Sequence, residues 1–191
     1  LIFVTGYEEY TAAAMSLHAS GYVLKPVTAE KITTELADLR YPVAKAAGAL
    51  LQCRCFGSFE AFTPDGALLH FERSKAKEVL AYLVYRTGAA CSIKDLAAAL
   101  FEGTEYSERQ RGNTQKAVSS LIGTLKSVGA GEVVIKKYNC VAINTALIDC
   151  DYYRFARLDP AAVNAYHGEF MSQYPWAEFV LGYLEQVFHT M

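Results

Sequence analysis

Long hydrophobic runs are missing from this sequence. None approaches the roughly 18 residues that a membrane span requires, so the chain is expected to be soluble and cytoplasmic, with no membrane partner. No C-x-x-C occurs among the five cysteines, Cys53, Cys55, Cys91, Cys140 and Cys150. An odd number of cysteines in a chain without a signal peptide reads as reduced thiols. Cys53 and Cys55, two apart, share a strand face. A metal there is conceivable, but without a second ligand pair a half-buried strand is favoured. Also lacking are paired carboxylates, a nucleophile beside its base, metal-ligand spacing and a glycine-rich phosphate loop in any coherent place. The sequence is therefore read as non-enzymatic, with no catalytic residue, no metal site and no cofactor.

A strong net charge is absent too: the formal charge is −2 over 191 residues. The balance conceals an asymmetry. Residues 73–139 hold 11 Lys and Arg against 6 Asp and Glu, a local charge of +5, while the rest holds 7 against 14, or −7. The positive field is thus confined to one segment, which is what bears on an anionic partner.

That segment contains the clearest pattern in the chain. Val118, Leu121, Ile122 and Leu125 recur at three- and four-residue spacing, predicting a helix from about Arg109 to Ser127 with this stripe inward. The opposite face carries Arg109, Asn113, Lys116, Ser120, Gly123 and Ser127, polar, cationic or small. Beyond Gly129-Ala130-Gly131, the β-prone runs Val133–Ile135 and Val141–Ile143 flank Lys136-Lys137-Tyr138-Asn139, predicting a hairpin with a basic tip. A helix backed by such a wing places the helix in a DNA major groove and the tip on phosphates.

The rest of the chain divides around this element. Leu1–Val4 is an apolar run opening inside a strand, so the chain is expected to begin partway through a domain. It is followed by a helical segment from about 8 to 19, a strand at Gly21–Leu24 and a helix over roughly 29–39 with Ile32, Leu36 and Leu39 inward. Alternation of this kind is α/β, with functional groups at the strand ends, Thr5 and Lys25. Residues 41–50, with Pro42 and several alanines, read as a linker. Alternation over 51–71, broken by Pro64-Asp65-Gly66, predicts a small antiparallel sheet. Ser74 is the expected N-cap and Gly88 the expected C′ of a helix with Val79, Leu80, Leu83 and Val84 inward. Arg73, Lys75 and Lys77 crowd its first turn, where the macrodipole disfavours cations; an anionic partner and a solvated cluster both account for them. Ser92-Ile93-Lys94-Asp95 has the form of a capping box opening a further helix that stops at Gly103.

The residues at the amino-terminal end carry a family resemblance. Phe3-Val4-Thr5-Gly6 followed by Ala19-Ser20-Gly21-Tyr22-Val23-Leu24-Lys25-Pro26 resembles the second half of the receiver domain of two-component response regulators. The resemblance implies that Thr5, Tyr22 and Lys25 are switch residues and that the Lys25-Pro26 bond is cis. The phosphoacceptor Asp and the acidic magnesium-binding residues of a receiver are absent from this chain. Phe56-Gly57-Ser58-Phe59 and Arg73-Ser74-Lys75-Ala76-Lys77, with the order sheet, three helices and hairpin, resemble the winged-helix effector domain of OmpR/PhoB type, and more closely its variant in SARP-type bacterial activators. Ile148–Tyr152, Tyr166–Phe170, Tyr174 and Trp176-Ala177-Glu178 resemble the start of the helical activator domain of such proteins.

The expected fold is α+β overall, with a partial flavodoxin-like receiver at 1–40, a linker at 41–50, a winged helix at 51–147 and a helical tail at 148–191. The expected function is that of a sequence-specific, DNA-binding transcriptional regulator of two-component type; a winged-helix protein-interaction module is the alternative. Asn113, Lys116 and Ser120 are the candidates for base contact. Arg73, Lys75, Arg109 and Arg111 are candidates for phosphate, with Lys136, Lys137 and Tyr138 on the backbone. Double-stranded DNA is the expected partner. The resemblance adds a homodimer and, through the acidic loop from Glu102 to Glu108, RNA polymerase. Tyr174 and Trp176 are expected to pack rather than to stack on bases, and His167 to lie at the surface.

Overall fold

The computed structural model describes residues 2–7, 10, 21–32, 48–101, 103 and 106–189. Two compact units are formed, Leu1–Ala44 and Lys45–Met191.

In the first unit, β1 (Ile2–Thr5) pairs in parallel with β2 (Gly21–Leu24), with Phe3 opposite Tyr22 and Thr5 opposite Leu24. Val23 is buried, whereas Val4 is 51% exposed, because only two strands form this sheet among the described residues. A helical turn begins at 29–32, where Ile32, expected inward, is 40% exposed. The helix expected over 8–19 apart from Tyr10, most of that expected over 29–39, and residues 41–47 of the linker lie outside the described residues. Lys25-Pro26 is cis.

The second unit is mixed α and β. Its first sheet has β3 (Leu51–Arg54) at the centre. On one side β4 (Glu60–Phe62) runs antiparallel, with Cys53 opposite Ala61. On the other, β8 (Ile148–Cys150) runs parallel, with Leu51 opposite Ile148 and Cys53 opposite Cys150. The expected boundary after 147 therefore falls at the edge of a sheet strand, and the sheet is not purely antiparallel. Residues beyond that boundary, from Ile148 to Leu184, belong to the same buried cluster as Leu51, Phe59 and Leu80. One core serves the whole unit.

Three helices pack over it: α1 (Ser74–Tyr85), α2 (Ile93–Leu100) and α3 (Glu108–Ser127). Along α1, Val79, Leu80, Leu83 and Val84 are buried as the spacing predicts. Arg73, not Ser74, is its N-cap, and no side chain caps it. The α1 chain end turns through Thr87 and Gly88, both at positive φ. At Gly88 a Cβ would lie 3.4 Å from Thr145 Cγ2, so glycine serves both conformation and close approach there. The capping box of α2 forms as the sequence indicates: Ser92 Oγ accepts from Asp95 N at 3.1 Å and Asp95 Oδ2 accepts from Ser92 N at 2.9 Å.

The second sheet is β5 (Cys91–Ser92), β7 (Cys140–Ile143) and β6 (Val134–Lys137), with β7 central. The hairpin is thus present, shifted by one residue at its start because Gly131–Val133 forms a 3-10 turn. After β8 the chain makes α4 (Asp151–Ala156), α5 (Pro160–Ala165) and α6 (Glu178–His189). Tyr153 Oη donates to the Val84 carbonyl at 2.8 Å, tying α4 to the end of α1. Tyr174 and Trp176 stack at 5.5 Å, and Trp176 lies against Tyr82 and Tyr85 of α1. These aromatics pack; His167 is exposed. No helix among the described residues is long and apolar enough to cross a membrane.

Candidate nucleic-acid interface

α3 begins at a capping box that the sequence reading overlooked. Ser107 Oγ accepts from Gln110 N at 3.3 Å, and Gln110 Oε1 accepts from Ser107 N at 2.9 Å. Ser-x-x-Gln before a helical run is the signal that would have found it. Glu108 in the first turn and Lys126 in the last both suit the macrodipole.

The inward face of α3 is Thr114, Ala117, Val118, Leu121 and Leu125; Ile122 is only half-buried. Burying Val118, Leu121 and Leu125 stabilises by about 1.5–3 kcal/mol each, so the rotation of the helix is fixed by this stripe. Thr114 fits because its hydroxyl donates to the Gln110 carbonyl at 2.8 Å. Compared with the stripe expected from apolar residues alone, the helix is turned. The outermost line runs through Lys116, Ser119 and Gly123, with the exposed Gln115 beside it. Gln115 and Ser119 are therefore surface positions that the sequence reading missed; a spacing of three and four from Lys116 through Ser119 to Gly123 was the available sign.

Among the expected contact residues on α3, Arg109, Asn113 and Lys116 are exposed. Neither Arg109 nor Lys116 has an ion-pair partner among the described residues. Arg111 is exposed and lies 3.4 Å from Glu108. Ser120 corrects the expectation: its Oγ is enclosed and has no hydrogen-bond partner, since the turned stripe carries it to a flank that the core covers.

The wing is anchored where it meets α2. Cys140 pairs with Ser92 across β5 and β7, and the Asn139 carbonyl accepts from Ile93 N at 3.2 Å. Lys137 pairs with Cys140, leaving Tyr138 and Asn139 as the connecting residues. Tyr138 is 100% exposed and sits at φ 49°. A non-glycine residue there carries local strain of order 1 kcal/mol or more. Lys136 and Lys137 are exposed and free of ion pairs among the described residues.

The basic residues at the start of α1 have a different purpose. Lys75 Nζ donates to Glu78 Oε2 at 2.7 Å and to the Leu100 carbonyl at 2.6 Å, and lies over the Phe101 ring. Lys77 pairs with Glu60 at 2.7 Å. Lys75, expected on phosphate, is committed inside the fold. Arg73 is exposed with no ion-pair partner among the described residues.

In the first unit, Thr5 and Lys25 end adjacent parallel strands. Lys25 N donates to the Thr5 carbonyl at 2.8 Å, Thr5 Oγ1 accepts from Tyr7 N at 3.2 Å, and Tyr22 Oη donates to the Tyr7 carbonyl. The Lys25 side chain is exposed. Within the acidic loop, Glu108 is exposed, and Glu102 and Glu105 lie outside the described residues.

No family model matches the chain, and no curated protein matches it. Among solved structures, it is similar to EmbR of Mycobacterium tuberculosis, determined in complex with a low-affinity phosphopeptide. The two share 20% identity with a TM-score of 0.58, over 74% of this chain and 44% of that one. The likeness is one of fold, and this chain matches less than half the length of that protein.

Proposed function

We propose that this chain is a sequence-specific DNA-binding transcriptional regulator, with α3 in the major groove and the β6–β7 turn on the phosphate backbone. The observation that carries this reading is the pairing of an exposed polar stripe on α3 with a protruding basic turn. Arg109, Asn113, Lys116, Lys136, Lys137 and Tyr138 stand outside the core, and the four cations among them have no ion-pair partner among the described residues, while other cations nearby are tied up internally. Gln115 and Ser119 join Asn113 and Lys116 as candidates for base edges, since an amide side chain matches the donor and acceptor of adenine. Arg73 and Arg109 are the phosphate candidates that remain, with Arg111 reaching phosphate only by leaving Glu108.

The two-component reading extends this proposal. Thr5 and Lys25 at the carboxyl ends of two parallel strands, with Tyr22 within the second, are consistent with a flavodoxin-like receiver segment, in which they act as the switch. Dimerisation through that segment would join two half-site contacts into one tighter complex, and the acidic loop before α3 would face RNA polymerase. No cofactor is assigned to the chain.

Selection of binding sites from random duplexes with the purified chain tests the main claim. Enrichment of a defined motif, lost on Lys116→Ala with Lys137→Ala, is the expected result; equal retention of all duplexes by both proteins would refute it.

One observation favours the alternative of a protein-interaction module. A groove of about 340 Å³ is lined by Tyr82, Tyr85, Trp176 and Phe179, with Phe179 82% exposed. Exposed aromatics of this kind are typical of protein contacts. That reading expects Lys116→Ala and Lys137→Ala to leave electrophoretic mobility shifts unchanged.

A further inference from the structure

The DNA-binding reading leaves one cluster unused. Cys53 in β3 and Cys55, the residue just after that strand, are both buried two apart, and Cys150 sits opposite Cys53 in the neighbouring parallel strand, so the three thiols project to one face. Cys55 Sγ and Cys150 Sγ are 3.2 Å apart, both essentially without solvent exposure. Asp151 follows immediately and is also buried. Its Oδ1 accepts from Cys55 N and Tyr152 N, each at 2.8 Å, and its Oδ2 from Cys55 N at 3.0 Å and Phe56 N at 3.1 Å.

Two thiols and a carboxylate within reach of one another could suggest a metal site. Two observations oppose that. Thiolates on a tetrahedral zinc at about 2.3 Å lie roughly 3.8 Å apart, farther than these sulfurs. The carboxylate oxygens are turned to three backbone amides, so the aspartate already has its partners. Asp151 accounts for the approach of α4 to the end of β3 and accepts a long hydrogen bond from the Cys150 thiol at 3.8 Å; the Cys55 sulfur is left facing Cys150.

The geometry points to an oxidisable pair: Cys55 and Cys150 are placed to close an intramolecular disulfide between the end of the central strand β3 and its neighbour β8. A disulfide bond of about 2.05 Å requires some 1.2 Å of further approach by the two sulfurs. With hydrogen peroxide as oxidant, one sulfur attacks the O–O bond. An S–O bond forms, and the displaced hydroxide takes the thiol proton and leaves as water. The second sulfur then attacks the sulfenic sulfur, the S–O bond breaks, and a second water leaves carrying the second thiol proton. Two thiols and one peroxide thus give one disulfide and two waters.

Burial sets the conditions. Desolvation holds the Cys53 and Cys55 thiols well above their ordinary pKa, reinforced at Cys55 by its hydrogen bond to Cys150. Protonated, enclosed thiols react slowly, so oxidation requires β8 to open from β3. The pair would then record excursions of that edge.

The test is made on the full chain treated with hydrogen peroxide in native buffer and in sub-denaturing urea, then alkylated in denaturant and digested without reductant. Alkylatable thiols are expected to fall from five per chain to three, faster in urea, with Cys55 and Cys150 in one linked peptide. Cys91→Ser and Cys140→Ser should each leave that peptide intact. Thermal melting should show the oxidised chain several degrees more resistant, because the bond closes a long loop. The wild-type chain alone decides the matter, so misfolding of a cysteine variant does not blur it. Retention of all five thiols, linkage through Cys53, overoxidation without linkage, or stoichiometric binding of zinc by the reduced chain would each overturn the proposal.

Discussion

Lys75 Nζ lies 2.6 Å from the carbonyl oxygen of Leu100, so a lysine in the first turn of one helix closes the last turn of the next. The cost of placing a cation at the α1 N-terminus is offset by Glu78 and by the favourable end of α2. Lys75→Ala should therefore destabilise the second unit by about 1–2 kcal/mol, since Glu78 is left buried without its partner. Urea denaturation checks the loss. Binding to DNA by the remaining folded protein should be unchanged.

A different result is expected at the outward cations. If about three phosphates are neutralised per protomer, log K should fall with log salt at a slope near −3. Lys116→Ala and Lys137→Ala should each reduce that slope by roughly 1 with little change in melting temperature. Fluorescence anisotropy over a salt series measures both; a slope near zero in the parent protein would refute the footprint.

Tyr138→Gly separates stability from binding at the turn. Glycine adopts φ 49° without the steric penalty of a Cβ, so the variant should be as stable as the parent or up to about 1 kcal/mol more so. Affinity for duplex DNA should fall severalfold as the exposed ring is lost. A variant that binds equally well would mean that the exposed ring makes no contact with DNA.

Acid acts on α2 through its cap. Asp95 is held below its ordinary carboxylate pKa, chiefly by the backbone amide of Ser92 and then by its hydroxyl. A depressed folded value means that this contribution is complete above the unfolded pKa, about 3.9, and is lost as pH falls through the folded one. Asp95→Asn should flatten the decline in melting temperature below about pH 4 while lowering it at neutral pH.

Features carried by near neighbours in the sequence were legible in it. The Ser92–Asp95 box spans four residues, and the wing is announced by two β-prone runs around Lys136–Asn139; both form. The Ser107–Gln110 box was equally local and simply overlooked. What escaped were relations fixed by distant packing. Lys75 finds its acceptor at Leu100, and Ser120 is covered because Thr114 and Ala117 enter the core in place of Ile122. Hydrophobic spacing alone located α3 well, yet set its rotation slightly wrong because small and polar residues can be buried when their groups are satisfied. No local pattern marks Ile148–Cys150 as a neighbour of β3.

That neighbourhood has a consequence for synthesis. A ribosome releases Leu51 long before Ile148, yet the two stand side by side in the finished ladder, a pairing of high contact order that slows folding. Until the later segment emerges, β3 has an open flank, and a nascent chain or a clone stopped at residue 147 would keep it open. Such an edge invites association with a second molecule, so shortened versions should precipitate where those extending through α6 stay dispersed.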